Sequence, residues 1–227
     1  MSDQEIFINN NPPTALEKLD TLHIVCDRFS HSIRTHLGVA LGLVEDIKLG
    51  YDISKQDLED ANSSLRSILG VLNSVKDLSA APEFRPTKVL LSEILAETIS
   101  QLNYSVCSSI SKSSDSRMLD KSLIQKALRS IFLFANSRID RTSDETRKIY
   151  CQLENNGAQQ KLSIVFHQSP ASDKKTLEGV TSWYELAKVD HRSDSLGLFY
   201  ASEIFDIHQL NTGCFIENGK ITLEASI

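Results

Sequence analysis

The stretch FSHSIRTHLGVALGLVEDI, residues 29–47, places an imidazole, a guanidinium and a hydroxyl close together: His31, Arg34 and Thr35. Spaced three and four apart on a helix, such side chains are surface neighbours. A solvated imidazole with an ordinary pKa near 6.5 is largely neutral at cell pH, and so is a nucleophile able to accept a phosphoryl group. Arg34 has the donor fork that would steady phosphoryl oxygens. An ordinary surface histidine would show the same local pattern. A core histidine is described better by His36, three positions beyond Ile33.

The helix that must carry these groups is legible from its period. Steps of three and four from Leu19 give Leu19, Leu22, Cys26, Phe29, Ile33, His36, Ala40, Leu43 and Ile47, a seam of about eight turns. If Phe29 and Ile33 face the core, His31 lies almost opposite them and points into water. Gly50-Tyr51-Asp52-Ile53 breaks the pattern, Ser54 with Asp57 forms a capping box, and a second seam follows at Leu58, Ala61, Leu65, Ile68, Leu72 and Val75. Residues 15–80 therefore form an antiparallel helical hairpin behind an N-terminal tail, 1–14. A lone hairpin cannot cover both apolar stripes, and pairing two of them in a dimeric four-helix bundle is the economical solution, so the chain is expected to be a homodimer.

Pro82, Phe84 and Pro86 mark a linker over 81–87, and the texture then changes. Over 88–227, KVLLSEILAETISQLN is a short strand leading into a helix, and DKSLIQKALRSIFLFANSR is a strongly apolar helix. KIYCQLEN and KLSIVFHQ are strands, SLGLFYASEIFDIHQL is a further helix, and CFIENGKITLEASI is a hairpin around Asn218-Gly219. Residues 108–115 and 170–174 have the composition of exposed loops. The fold class is α+β: the hairpin, then an α/β sandwich.

Composition bounds the partners. The 227 residues carry a formal charge of -6, against a nucleic-acid partner that would need a basic face. No run of 18 apolar residues and no basic and apolar leader is present, so neither membrane insertion nor secretion is expected, and the cytoplasm is the default. Cys26, Cys107, Cys151 and Cys214 are scattered without a CxxC pair, which fits reduced structural thiols rather than a disulfide framework or zinc site.

The order of these parts resembles that of sensor histidine kinases. Phe29, His31, Arg34, Thr35 and Leu37 match the phosphoacceptor box F-x-H-E-L-R-T-P-L. RPTKVLLSEIL is similar to the entry to the ATP-binding domain, LIQKALRSIFLFAN to the asparagine box, and SLGLFYASEIFDIHQL to the second glycine box. The resemblance covers roughly residues 19–227. It implies that the histidine is phosphorylated on a dimeric helical bundle and exchanges the group with an aspartate of a response regulator. It also gives Thr35 the position associated with water-mediated removal of phosphate from the regulator.

The departures are concentrated where the family handles nucleotide. Ser130 and Phe134 stand where two asparagines hold magnesium and nucleotide, and phenylalanine cannot ligate a hard cation. His167, Gln168, Ser169, Pro170 and Ala171 replace the aspartate that reads adenine and the glycines after it. Only Leu196-Gly197-Leu198 survives of the phosphate loop. Ser32 replaces the acid that acts as general base toward the histidine, and His36 replaces the usual proline. The resemblance with these losses implies a histidine phosphotransferase of a two-component phosphorelay. It would move phosphoryl groups between receiver-domain aspartates through His31, with Arg34 and Thr35 in support. It would use no ATP and no cofactor of its own, magnesium being supplied by the partner receiver. The alternative is an inert pseudokinase scaffold or inhibitor that binds a response regulator and keeps His31 as a relic.

Overall fold

The computed structural model describes residues 14–226 except 80–83, 112–114, 145, 157–158, 170–176, 178 and 191–194. Helix α1 (Ala15–Leu49) runs unbroken through His36. Thr14 opens it with a capping box in which its hydroxyl accepts from the Glu17 amide and the Glu17 carboxylate accepts from the Thr14 amide. Gly50 closes it in the left-handed region at φ 77°, where glycine carries no Cβ penalty. The expected box at Ser54 and Asp57 forms: the Asp57 carboxylate takes the Ser54 amide at 2.9 Å, and the Ser54 hydroxyl takes the Asp57 amide at 3.1 Å. Helix α2 (Lys55–Ser79) then packs back on α1.

The buried stripe of α1 differs from the expected seam. Thr21, Val25 and Phe29 are the buried positions, whereas Leu19, Cys26 and Ile47 are exposed. The physical reason is a second partner: the first half of α1 packs on the C-terminal unit, and four-residue steps through 21, 25 and 29 follow that contact. On α2, Ala61 and Ser64 are buried, while Leu58, Leu65 and Leu72 remain about half exposed. Val75 lies outside the described side chains.

The C-terminal unit layers helices on one face of a sheet. Its elements are β1 (Thr87–Val89), α3 (Leu91–Ser100), β2 (Val106–Ile110), β3 (Arg117–Leu119), α4 (Lys121–Arg138), β4 (Ile149–Asn156), β5 (Gln159–His167), α5 (Trp183–Val189), α6 (Ser195–Ile207), β6 (Asn211–Glu217) and β7 (Lys220–Ser226). The main sheet has the order β2-β4-β5-β7-β6, with β2 parallel to β4 and the other pairs antiparallel; β1 and β3 form a separate small ribbon. Burial alternates along β5: Leu162, Ile164 and Phe166 face the helices, Ser163 and Val165 the other side. Asn218 and Gly219 both adopt positive φ, 51° and 78°, the geometry that a two-residue hairpin requires.

Elements β2, β3 and α5 depart from the sequence reading, which assigns none of them. Ser108, Ser109 and Ile110 belong to the edge strand β2, not to a loop, because a parallel ladder to Cys151, Gln152 and Leu153 organises backbone whose side chains are mostly exposed. Helix α5 is too short to show a period. Its Ser182-Glu185 capping box and the bond from Trp183 Nε1 to the Gly213 carbonyl at 2.8 Å fix it on β6. The expected loop at 170–174 lies outside the described residues.

The cysteines divide by layer. Cys26 and Cys107 are exposed; Cys151 and Cys214 are buried, and burial pushes the Cys151 thiol up to about 12 and Cys214 above its ordinary value. Since the thiolate is the reacting species, a thiol reagent should label two of the four cysteines quickly in the native protein and all four after unfolding. Rapid native labelling of all four would contradict the sheet packing.

Candidate functional site

His31 sits mid-helix on α1 and is exposed, as are Arg34 and Thr35. The three occupy one exposed surface, and the Thr35 hydroxyl donates to the His31 carbonyl at 3.0 Å across one turn. Ser32 and His36 are half-buried. The reason His31 faces outward is the packing of its neighbours two residues away: Phe29 is buried with Val25 against Leu196 at the start of α6, and Ile33 packs on the same cluster. Two residues of helix turn the side chain by about 200°, so anchoring positions 29 and 33 presents 31 to the opposite side.

Charged contacts hold α1 in this orientation. Arg28 Nη1 donates to the carbonyls of Asp190 at 2.5 Å and Ala187 at 3.4 Å, at the C-terminal end of α5. Lys188 pairs with Asp20 at 2.5 Å, and Lys18 reaches Asp206 at 2.7 Å and Glu203 at 3.2 Å. The Tyr184 hydroxyl donates to the same two carboxylates. Burial alone would lower the Lys18 pKa, but Asp206 and Glu203 outweigh it and hold it above the ordinary lysine value. Sequence reasoning missed this surface, since Thr21, Val25 and Phe29 reveal their partner only when Leu196 is brought to them.

The positions expected to have held nucleotide are occupied by packed protein. Phe134 is fully buried, edge-on to Phe166 with ring centroids 6.3 Å apart, and the Arg138 guanidinium lies 3.6 Å over its ring. The Arg138 side chain is 2% exposed and forms an ion pair with Asp190 through Nε. Gly197 lies so close to α4 that an added methyl would meet the Ser130 Cβ at 3.4 Å. Beyond β5, Gln168 donates its amide to the Gly219 carbonyl at 2.8 Å and Ser169 donates to the Arg138 carbonyl at 3.0 Å. A magnesium nucleotide needs oxygen ligands and phosphate room here. At Phe134 and Arg138 this arrangement offers an aromatic ring and an ion pair rather than oxygen ligands, so these residues do not fit that group. Among the described residues no cluster of three or more His, Cys, Asp or Glu could hold a metal ion, and no helix is long and apolar enough to cross a membrane.

No family model matches the chain, and no curated protein does. Solved structures do match. Histidine kinase ThkA, in a crystal structure with response regulator protein TrrA, is 15% identical with a TM-score of 0.66 over 96% of this chain and 67% of that one. The Acinetobacter baumannii histidine kinase AdeS is 11% identical with a TM-score of 0.55, covering 87% of this chain and 96% of its own. Full-length ShkA, in complex with AMPPNP, is 15% identical with a TM-score of 0.52, over 87% of this chain and 44% of that one. The chain thus has the fold of histidine kinases: a long helical hairpin followed by the α/β sandwich of their catalytic domain.

Proposed function

We propose that the protein is a dimeric histidine phosphotransferase that exchanges phosphoryl groups with receiver-domain aspartates through His31 and does not use ATP. The observation that carries this reading is the contrast on one fold between a solvated His31-Arg34-Thr35 surface and a nucleotide region filled by Phe134, Arg138 and Asp190. In the forward step an imidazole nitrogen attacks the phosphorus of a receiver acyl phosphate; the new N–P bond forms as the P–O bond to the aspartate breaks, and the carboxylate leaves. Reversal toward a second receiver completes the relay. Catalysis here is largely positioning and charge stabilisation: α1 supplies the nucleophile, Arg34 a guanidinium for the phosphoryl oxygens, and the receiver its magnesium. The ThkA structure, solved with a response regulator, supports a receiver as the partner.

The test is transfer of label. Incubation with phosphorylated receiver domains should place label on the protein, and ATP with magnesium should not. Labelling by ATP would restore the kinase reading, while stable receiver binding without label would favour the scaffold.

Dimerisation rests on the hairpin. Leu41, Val44, Leu58, Leu65, Leu69 and Leu72 are each between 45% and 60% exposed in the single chain, an apolar extent that marks an association surface. A second hairpin, presenting the same stripes, is the occupant. Because Leu65 is half exposed in one chain, Leu65→Glu should cost the monomer little yet bury an unpaired charge in the bundle. Light scattering at micromolar concentration should show a dimer for the native protein and a folded monomer for the variant. A native monomer would remove the four-helix bundle from the proposal.

A further inference from the structure

A cleft of about 510 Å³ opens between the α3–β2 connection and the α4–β4 connection. It is separate from the region around Phe134, since Asn136, which lines it, is turned by about 200° from Phe134 on the same helix. Its apolar wall is built from Ile139 and Ile149, both buried, and Tyr104. Among the described residues, the charged side chains of the lining are Arg141 and Arg147, with no carboxylate.

Both guanidinium groups belong to exposed residues of the lining. Arg147 donates through Nη2 to the Arg141 carbonyl at 3.2 Å, which ties the two residues together. Among the described residues its ion-pair partner is Asp144, 3.9 Å away and almost fully solvated, a pair worth little. Arg141 has no carboxylate partner among the described residues. Two like charges at the mouth of one cleft repel unless an anion lies between them, and the chain as a whole is acidic at -6. The Tyr104 hydroxyl is buried with no hydrogen-bond partner among the described residues. Burial holds that phenol above its ordinary pKa, so it stays a donor. The volume falls within the range of small-ligand sites.

We propose that this cleft binds a small organic phosphate, its phosphoryl group clamped by Arg141 and Arg147 and its organic part resting on Tyr104, Ile139 and Ile149. Guanidinium forks match phosphate oxygens two at a time, which favours phosphoryl over carboxylate anions. The site is independent of His31 chemistry and can be tested without it.

The test is calorimetry on the full chain with AMP, inorganic pyrophosphate and citrate at matched ionic strength, with backbone amide shifts followed by NMR. Saturable binding of AMP or pyrophosphate is expected, with shifts at residues 103–105, 136 and 141–147, and Arg141→Gln with Arg147→Gln should weaken it by about tenfold or more. AMP binding tighter than pyrophosphate would support the apolar wall as part of the site; pyrophosphate alone would remove the organic part from the assignment. Binding of citrate alone would overturn the phosphoryl assignment. No saturation by any probe up to roughly 10 mM would overturn the site. Binding unchanged in the double variant would overturn its location. Both arginines are exposed, so the variants keep the fold.

Discussion

Replacing His31 with alanine is expected to abolish acceptance of label from phosphorylated receivers while leaving the fold and dimer unchanged. The first half follows from the chemistry: among the side chains of this surface, His31 alone offers an imidazole nitrogen as nucleophile, and neither Arg34 nor Thr35 can replace it. The second follows from the structure, since an exposed mid-helix residue opposite Phe29 and Ile33 contributes little to packing. The native label should be lost in acid and persist in base, as a phosphoramidate does. His36→Ala gives the reverse pattern, because that ring is half-buried: transfer is retained and stability falls by about 1 kcal/mol. Retention of label in His31→Ala would show that another residue is the acceptor. A variant that loses label yet binds and signals as the native protein does would establish the scaffold reading.

The exposed surface of His31 was legible in the sequence because it depends on local period alone. A helix that buries Phe29 and Ile33 must turn position 31 outward, whatever buries them. What buries them was not legible. The seam was expected to belong to the hairpin throughout, but Leu196 and the end of α5 take the first half of α1, more than 150 residues away along the chain for the Arg28 contacts. The punctuation was the most readable part of the fold: Gly50, the Ser54-Asp57 box and Asn218-Gly219 act within a few residues of themselves. Strand β2 was hidden because VCSSI owes its conformation to a ladder with β4 and not to its own pattern. The clustering of Tyr104, Arg141 and Arg147 was hidden for the same reason, as two connections distant in sequence meet only when α4 and the sheet are assembled.

The same non-local logic gives the ion pair between Arg138 and Asp190 its weight. It joins residues 52 apart in sequence. The Arg138 guanidinium is enclosed, donating also to the Phe134 carbonyl at 3.1 Å and the Ser137 hydroxyl at 2.6 Å and stacking on the Phe134 ring. Asp190→Ala therefore removes the carboxylate paired with the Arg138 Nε of an enclosed guanidinium, a change that costs about 3–5 kcal/mol. For a chain of this size that is roughly a 10 °C fall in melting temperature. Arg138→Leu removes the cation itself, and the Asp190 carboxylate, 13% exposed, has a path to water, so the loss should be smaller. The double variant, Arg138→Leu with Asp190→Ala, should then be more stable than Asp190→Ala alone. Because Arg28 hydrogen-bonds the Ala187 and Asp190 carbonyls, and the Asp190 carboxylate adds only an electrostatic attraction to them, the hold of α5 on α1 should survive in all three variants. Calorimetric melting decides it: equal losses in the two single variants, or a fall below roughly 2 °C in Asp190→Ala, would mean that the pair is hydrated and that the surroundings of Arg138 are held together by Phe134 packing alone.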